Sequence, residues 1–208
     1  MLFPFVRFVF SVLILFFSFS VTAAMPGWNA SGIYGELQIG VDPKTNVVTG
    51  YYVSGTGVSP DGSGPQFSCI FYLTGKKEGE KASVETYFPG DKKREIIPGE
   101  LQFLPEAGIG PALRLKMKAL PGGCAMVAPT LKEGEQMTRT KAGEWVEIRV
   151  VKAKRAHFFE SPEAVAPRKT YVVQGDGVQV YESRPGWVLA DFEGRNKGWL
   201  KEEDLYSK

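Results

Sequence analysis

Past residue 25 the chain alternates apolar and polar residues at period two, broken by glycine- and proline-containing turns. No stretch there sustains apolar residues at helical spacing for three turns. This pattern predicts a nearly all-β protein. Residues 33–39 read as a strand, 41–46 as a turn and 47–53 as the returning strand. In residues 66–74, Phe67, Cys69, Phe71 and Leu73 alternate with Gln66, Ser68, Ile70 and Tyr72, so the first set faces a core and carries the cysteine inward. Further strands are expected at 82–88, 99–104 and 113–119. The last would bury Leu113, Leu115 and Met117 and present Arg114, Lys116 and Lys118 as a basic stripe on its outer face.

Toward the C-terminus the strands shorten. Gly175-Asp-Gly177 supplies a tight reversal, Arg184-Pro-Gly186 fits a type II turn, and residues 193–198 make another short connection. Short β runs cut this closely by turns suit a small barrel. Residues 130–144 are polar, contain two glycines and have little to bury, so they read as a linker. The chain then divides into an N-terminal β domain at 25–129, a barrel or a sandwich, and a small barrel at 145–208. A long surface loop within one domain is the alternative reading of 130–144.

Residues 1–24 have the form of a signal peptide. Arg7 precedes an apolar core at 8–19, and Thr22-Ala23-Ala24 supplies small residues for cleavage. An uncleaved membrane anchor is the alternative, because the apolar length is nearly enough to cross a bilayer. The expected location is periplasmic or secreted. Cys69 and Cys124 are the only cysteines, and an even count in an oxidising compartment reads as one disulfide. In the chain-entropy model, closing a loop of that length contributes about 4 kcal/mol. The pair lacks nearby histidines for zinc and the C-x-x-C spacing of a redox enzyme, so no metal site is expected.

Losing residues 1–24 would remove Arg7 and no acid, leaving a charge one unit below the +2 of the whole chain. A near-neutral, mixed surface gives no electrostatic reason to expect nucleic acid. The clusters at 76–81 and 91–95 mix signs, as solvated hairpin ends do. Residues 54–65 carry several glycines, but no Lys-Ser/Thr follows to complete a phosphate cradle. They read as a mobile connection.

Two resemblances add to this. The hairpin at 33–53, ending in Thr49-Gly-Tyr51, resembles the first hairpin of up-and-down barrels of the calycin and avidin type, which implies a barrel with an open mouth. Residues 145–205 resemble a bacterial SH3-like (SH3b) domain. Ala156-His-Phe-Phe159 matches its aromatic first strand and residues 160–168 its long first loop. Residues 171–176 match the strand entering its diverging turn, and Gly198-Trp-Leu200 with Asp204-Leu205 its closing motif. The resemblance implies recognition rather than catalysis, with peptidoglycan peptides or envelope proteins as partners. Phe159, Tyr171, Tyr181, Trp187 and Trp199 are the candidate ligand-binding aromatics. Trp187 and Trp199 stand where the motif serves packing. Tyr181 alternates away from Val178 and Val180 and is expected to be exposed.

Catalytic readings find little to use. His157 is the only histidine and lies in a predicted strand with no acid placed to orient it. Glu36, Asp61, Glu85, Glu100 and Glu106 could in principle supply paired carboxylates, but none has an apolar setting that would raise its pKa. The sequence therefore predicts an exported, non-catalytic binding or adaptor protein of the cell envelope, with no cofactor. An inhibitor or immunity protein against a cell-wall hydrolase or toxin is the alternative, presenting rigid loops such as 56–65. A wall hydrolase is a third reading.

Overall fold

The computed structural model describes residues 28–207; the expected signal peptide at 1–24 lies outside the described residues. The fold is all-β. Eight strands, β1 (Gly32–Tyr34), β2 (Leu37–Val41), β3 (Val47–Thr56), β4 (Phe67–Glu78), β5 (Lys81–Tyr87), β6 (Ile97–Leu104), β7 (Ala112–Met117) and β8 (Glu135–Ala142), form a closed antiparallel barrel. Each pairs with the next in sequence, and β8 returns to pair with β1. Closure leaves the sheet with no open edge.

The alternation read from the sequence fills the barrel. Tyr34, Leu37, Ile39, Phe71, Leu73, Leu101, Phe103, Leu113 and Leu115 are fully buried in one core with Cys69 and Cys124. Side chains thus occupy the interior that the calycin-type resemblance would have left for a ligand. Phe67, expected inward with Cys69, lies beyond the packed part of β4 and is exposed.

Two expectations about the chain path change. Residues 33–39 are not one strand but two, because Gly35 takes a left-handed φ of 54° and reverses the chain so that Tyr34 faces Leu37. Residues 130–144 are not a linker. They begin in a 3-10 turn, Pro129–Lys132, which buries Leu131, and continue as β8, the strand that closes the barrel. A closing strand needs backbone hydrogen bonds on both sides more than apolar side chains. Met137 alone is buried along it, so its polar residues disguised it.

Cys69 on β4 bonds to Cys124, which opens a short helical turn, α1 (Cys124–Val127), after β7. The bridge therefore ties the barrel wall to the short helical turn that follows β7.

The second module contains β9 (Glu147–Val150), β10 (Arg155–His157), β11 (Tyr171–Val173), β12 (Gly177–Arg184), β13 (Trp187–Phe192) and β14 (Asn196–Lys201). A four-stranded sheet in the order β14-β13-β12-β9 and the β10-β11 pair enclose a small core of Val151, Ala156, Phe158, Val172, Val178, Val180, Val188, Ala190, Leu200 and Leu205. The backbone bridge Phe159–Trp199 links the end of the β10–β11 pair to β14, and Val151–Leu205 links the two outer ends of the four-stranded sheet.

The two modules share a third core. Tyr51, Tyr72 and Tyr87 project from the outer barrel wall and pack with Trp145, Ile148 and Val150. Hydrogen bonds from buried donors cross this seam. The Trp145 indole donates to the Ile39 carbonyl at 2.7 Å, the Tyr51 hydroxyl to the Gly175 carbonyl at 2.8 Å, and the Ile148 amide to Thr49 Oγ1 at 2.7 Å. Burial raises the Tyr51 phenol to about 12, with smaller contributions from Asp176 and Tyr206, so it remains a donor at neutral pH.

Candidate functional site

The period-two geometry of β12, β13 and β14 separates the aromatics from the module's core. Val188 and Ala190 point inward, so Trp187 and Leu189 point out. Trp199 lies opposite Leu189 on that outer face. Phe159 is brought alongside by its backbone pairing with Trp199, and its ring meets Trp187 edge-on at 5.0 Å. Both side chains are half-buried, whereas Trp199 is buried, with the Arg184 guanidinium 4.6 Å from its ring. Arg184 also pairs with Glu182 at 2.8 Å.

The five candidate aromatics consequently fall in three places. Phe159 and Trp187, over Trp199, make one apolar surface. Tyr171 lies on β11, where its ring is 5.4 Å from that of His157 and 4.8 Å from the Arg155 guanidinium. Tyr181, expected to be exposed, is partly buried and turned to the barrel, edge-on to Trp145 at 6.5 Å with Lys197 Nζ 3.6 Å from its centroid. The alternation that turns Tyr181 away from Val178 and Val180 holds, but the barrel covers that face of β12, where Gln179 is also buried and donates to Gln38 at 2.6 Å. Burial raises its phenol pKa, with Asp191 and Glu144 adding to the effect.

The loop at 160–168 borders the Phe159–Trp187 surface. Arg168 fastens it: its amide donates to the Phe158 carbonyl at 2.7 Å, its Nη1 to the Lys197 carbonyl at 2.7 Å, and its Nη2 to the Glu160 carboxylate. That bond, and secondarily the positive charge, lowers the Glu160 pKa. Exposed Arg184, Glu182 and Glu160 thus surround an apolar centre, the arrangement of a polar rim around a binding patch.

Among the described residues, none at this face pairs a nucleophile with a base. His157 Nδ1 lies 3.2 Å from the Arg168 carbonyl and its ring packs on Tyr171. Glu36, Asp61, Glu85, Glu100 and Glu106 are all exposed on the barrel.

A second exposed feature is the tip of the β3–β4 hairpin. Asp61 accepts from the hydroxyls of Ser59 at 2.7 Å and Ser63 at 2.8 Å and from the Ser63 amide at 3.0 Å, while the Ser59 amide donates to the Gly64 carbonyl at 2.9 Å. These bonds, the Ser59 one foremost, lower the Asp61 pKa to about 2. The connection read as mobile is internally braced, and it presents Val58 to solvent.

Comparisons with protein-family models, with curated proteins and with solved structures found no match.

Proposed function

We propose that this is a non-catalytic binding or adaptor protein of the cell envelope, whose second module recognises a peptide segment or a protein partner on the Phe159–Trp187 face. The observation that carries the reading is that edge-to-face pair, its ring centroids 5.0 Å apart, half-exposed on the face that also carries buried Trp199 and beside the Arg168-fastened loop. Aromatic anchors with a charged rim favour recognition of extended, proline-containing or peptidoglycan-type peptides. The strand order of the module and its Gly198-Trp-Leu200 closing segment support the SH3-like comparison behind this reading.

The test is retention of the purified protein on sacculi and on immobilised envelope proteins, with Phe159→Ala and Trp187→Ala as variants. Retention that both variants abolish supports the reading. Retention unchanged in both, or none in the parent protein, removes it.

The braced tip at 57–66 favours a second reading, an inhibitor or immunity protein that inserts this hairpin into a hydrolase or toxin. Its rigidly hydrogen-bonded turn, centred on Asp61, is the feature such a plug requires. Deleting the tip would abolish inhibition under this reading and leave peptide retention intact under the first.

A further inference from the structure

The seam between the modules contains a cavity of about 270 Å³ that neither reading uses. Tyr72 and Tyr87 form its barrel side, Arg149 and Tyr206 its second-module side, and the β5–β6 loop, with Gly90 and Arg94, its rim. The rings of Tyr72 and Tyr87 stand 5.4 Å apart.

The polar groups here divide into engaged and unengaged ones. Arg149 is buried and fully occupied: its Nη2 donates to the Tyr206 carbonyl at 2.7 Å and its Nη1 pairs with Glu147 at 3.6 Å and Glu202 at 3.7 Å. The Tyr72 hydroxyl donates to the Ile148 carbonyl at 3.0 Å. Asp91 accepts from the Lys93 amide at 3.0 Å. Two donors remain. The Tyr87 hydroxyl is buried, in a side chain only 5% exposed, and has no hydrogen-bond partner among the described residues. The exposed Arg94 guanidinium lies over the Tyr87 ring at 4.0 Å and forms no ion pair among the described residues. A buried hydroxyl without a partner is a costly arrangement that a ligand can relieve.

We propose that this cavity binds a carboxylate, carried by the C-terminal residue of a peptide or by a free amino acid. Arg94 can only donate and the Tyr87 hydroxyl can donate beside it, so a partner that meets both at once is an acceptor. A planar guanidinium beside a phenol matches the two oxygens of a carboxylate. The volume lies just under the roughly 300 Å³ at which pockets for drug-sized ligands begin, which suits a single residue. Arg94 has a left-handed φ of 28°, a backbone cost for a non-glycine residue, and it holds its side chain over Tyr87 as a cover. A ligand reaches the hydroxyl when that side chain swings from the ring onto the carboxylate. The site is independent of the Phe159–Trp187 face.

Calorimetric titration of the purified protein tests this, using acetyl-alanyl-alanine as free acid and as C-terminal amide, with alanine and inorganic phosphate as further ligands. Saturable binding of the free acid is expected, with the amide about tenfold weaker or worse. Arg94→Gln and Tyr87→Phe should each weaken the acid about tenfold. Tyr87→Phe keeps the ring and removes only an unsatisfied hydroxyl, so its thermal transition should not fall. Alanine binding as well as the peptide would support the site and identify a free amino acid as its source. No binding up to about 10 mM, well beyond a 1 mM dissociation constant, would overturn the proposal. So would equal affinity for acid and amide, phosphate binding as tightly as the acid, or full affinity in both variants.

Discussion

The hydroxyl of Tyr72, on the outer wall of the barrel, donates to the carbonyl of Ile148 in the second module at 3.0 Å. Tyr72 lies between Phe71 and Leu73, which both face the barrel core, so one strand serves two cores from its two faces. The modules are consequently not beads on a string.

At Gly40 on β2 the backbones of the two modules come close together: a Cβ there would stand 2.7 Å from the Glu147 backbone. Gly40→Ala should force β9 off the barrel and cost about 1–3 kcal/mol in urea denaturation, with both modules melting in one transition in the parent protein. Parent-like stability in the alanine variant would show that the seam is looser than drawn.

Reduction of the Cys69–Cys124 bridge, with a sequence separation of 55, frees α1 from β4. A Cys69→Ser/Cys124→Ser variant should lose about 2–5 kcal/mol of unfolding free energy. Equal denaturation midpoints with and without reductant would contradict this.

Asp61 titrates below its ordinary value, so the bracing it provides is present above the unfolded value of 3.8 and is lost as pH falls through about 2. The Ser63 amide, which donates to it, should report that midpoint in a proton NMR titration. Asp61→Ala, which removes the acceptor oxygen, should free the tip and raise amide exchange there without unfolding the barrel. A midpoint near 3.8 would mean that the brace does not form.

Trp187 and Trp199 lie on one face but differ in burial, and their variants should separate accordingly. Trp199→Ala should cost about 3–5 kcal/mol of stability. Trp187→Ala, losing mainly its edge contact with Phe159, should cost about 1 kcal/mol and abolish partner retention. Equal stability losses would place both in the core and remove the proposed face.

Much of the fold was legible because alternation is a local property. Leu113, Leu115 and Met117 are buried and Arg114, Lys116 and Lys118 exposed, as the pattern required. The disulfide followed from the cysteine count. β8 was hidden because its pairing with β1 and β7 is made by backbone atoms, and its side chains carry almost no apolar signal. The split at Gly35 was hidden because residues 33–39 alternate through the turn.

The sequence by itself determined an all-β chain, the inward residues Cys69, Phe71 and Leu73 of β4 and Leu113, Leu115 and Met117 of β7, and the cysteine pair, since each depends on residue type and local spacing. Only the tertiary structure decided that the barrel closes through β8, that Tyr51, Tyr72 and Tyr87 face a second module, and that Tyr181 turns to Trp145 while Phe159 meets Trp187. These are contacts between residues far apart in the chain. An aromatic on a strand's outer face has the same local pattern whether water or another module covers it, and only the partner's position distinguishes the two.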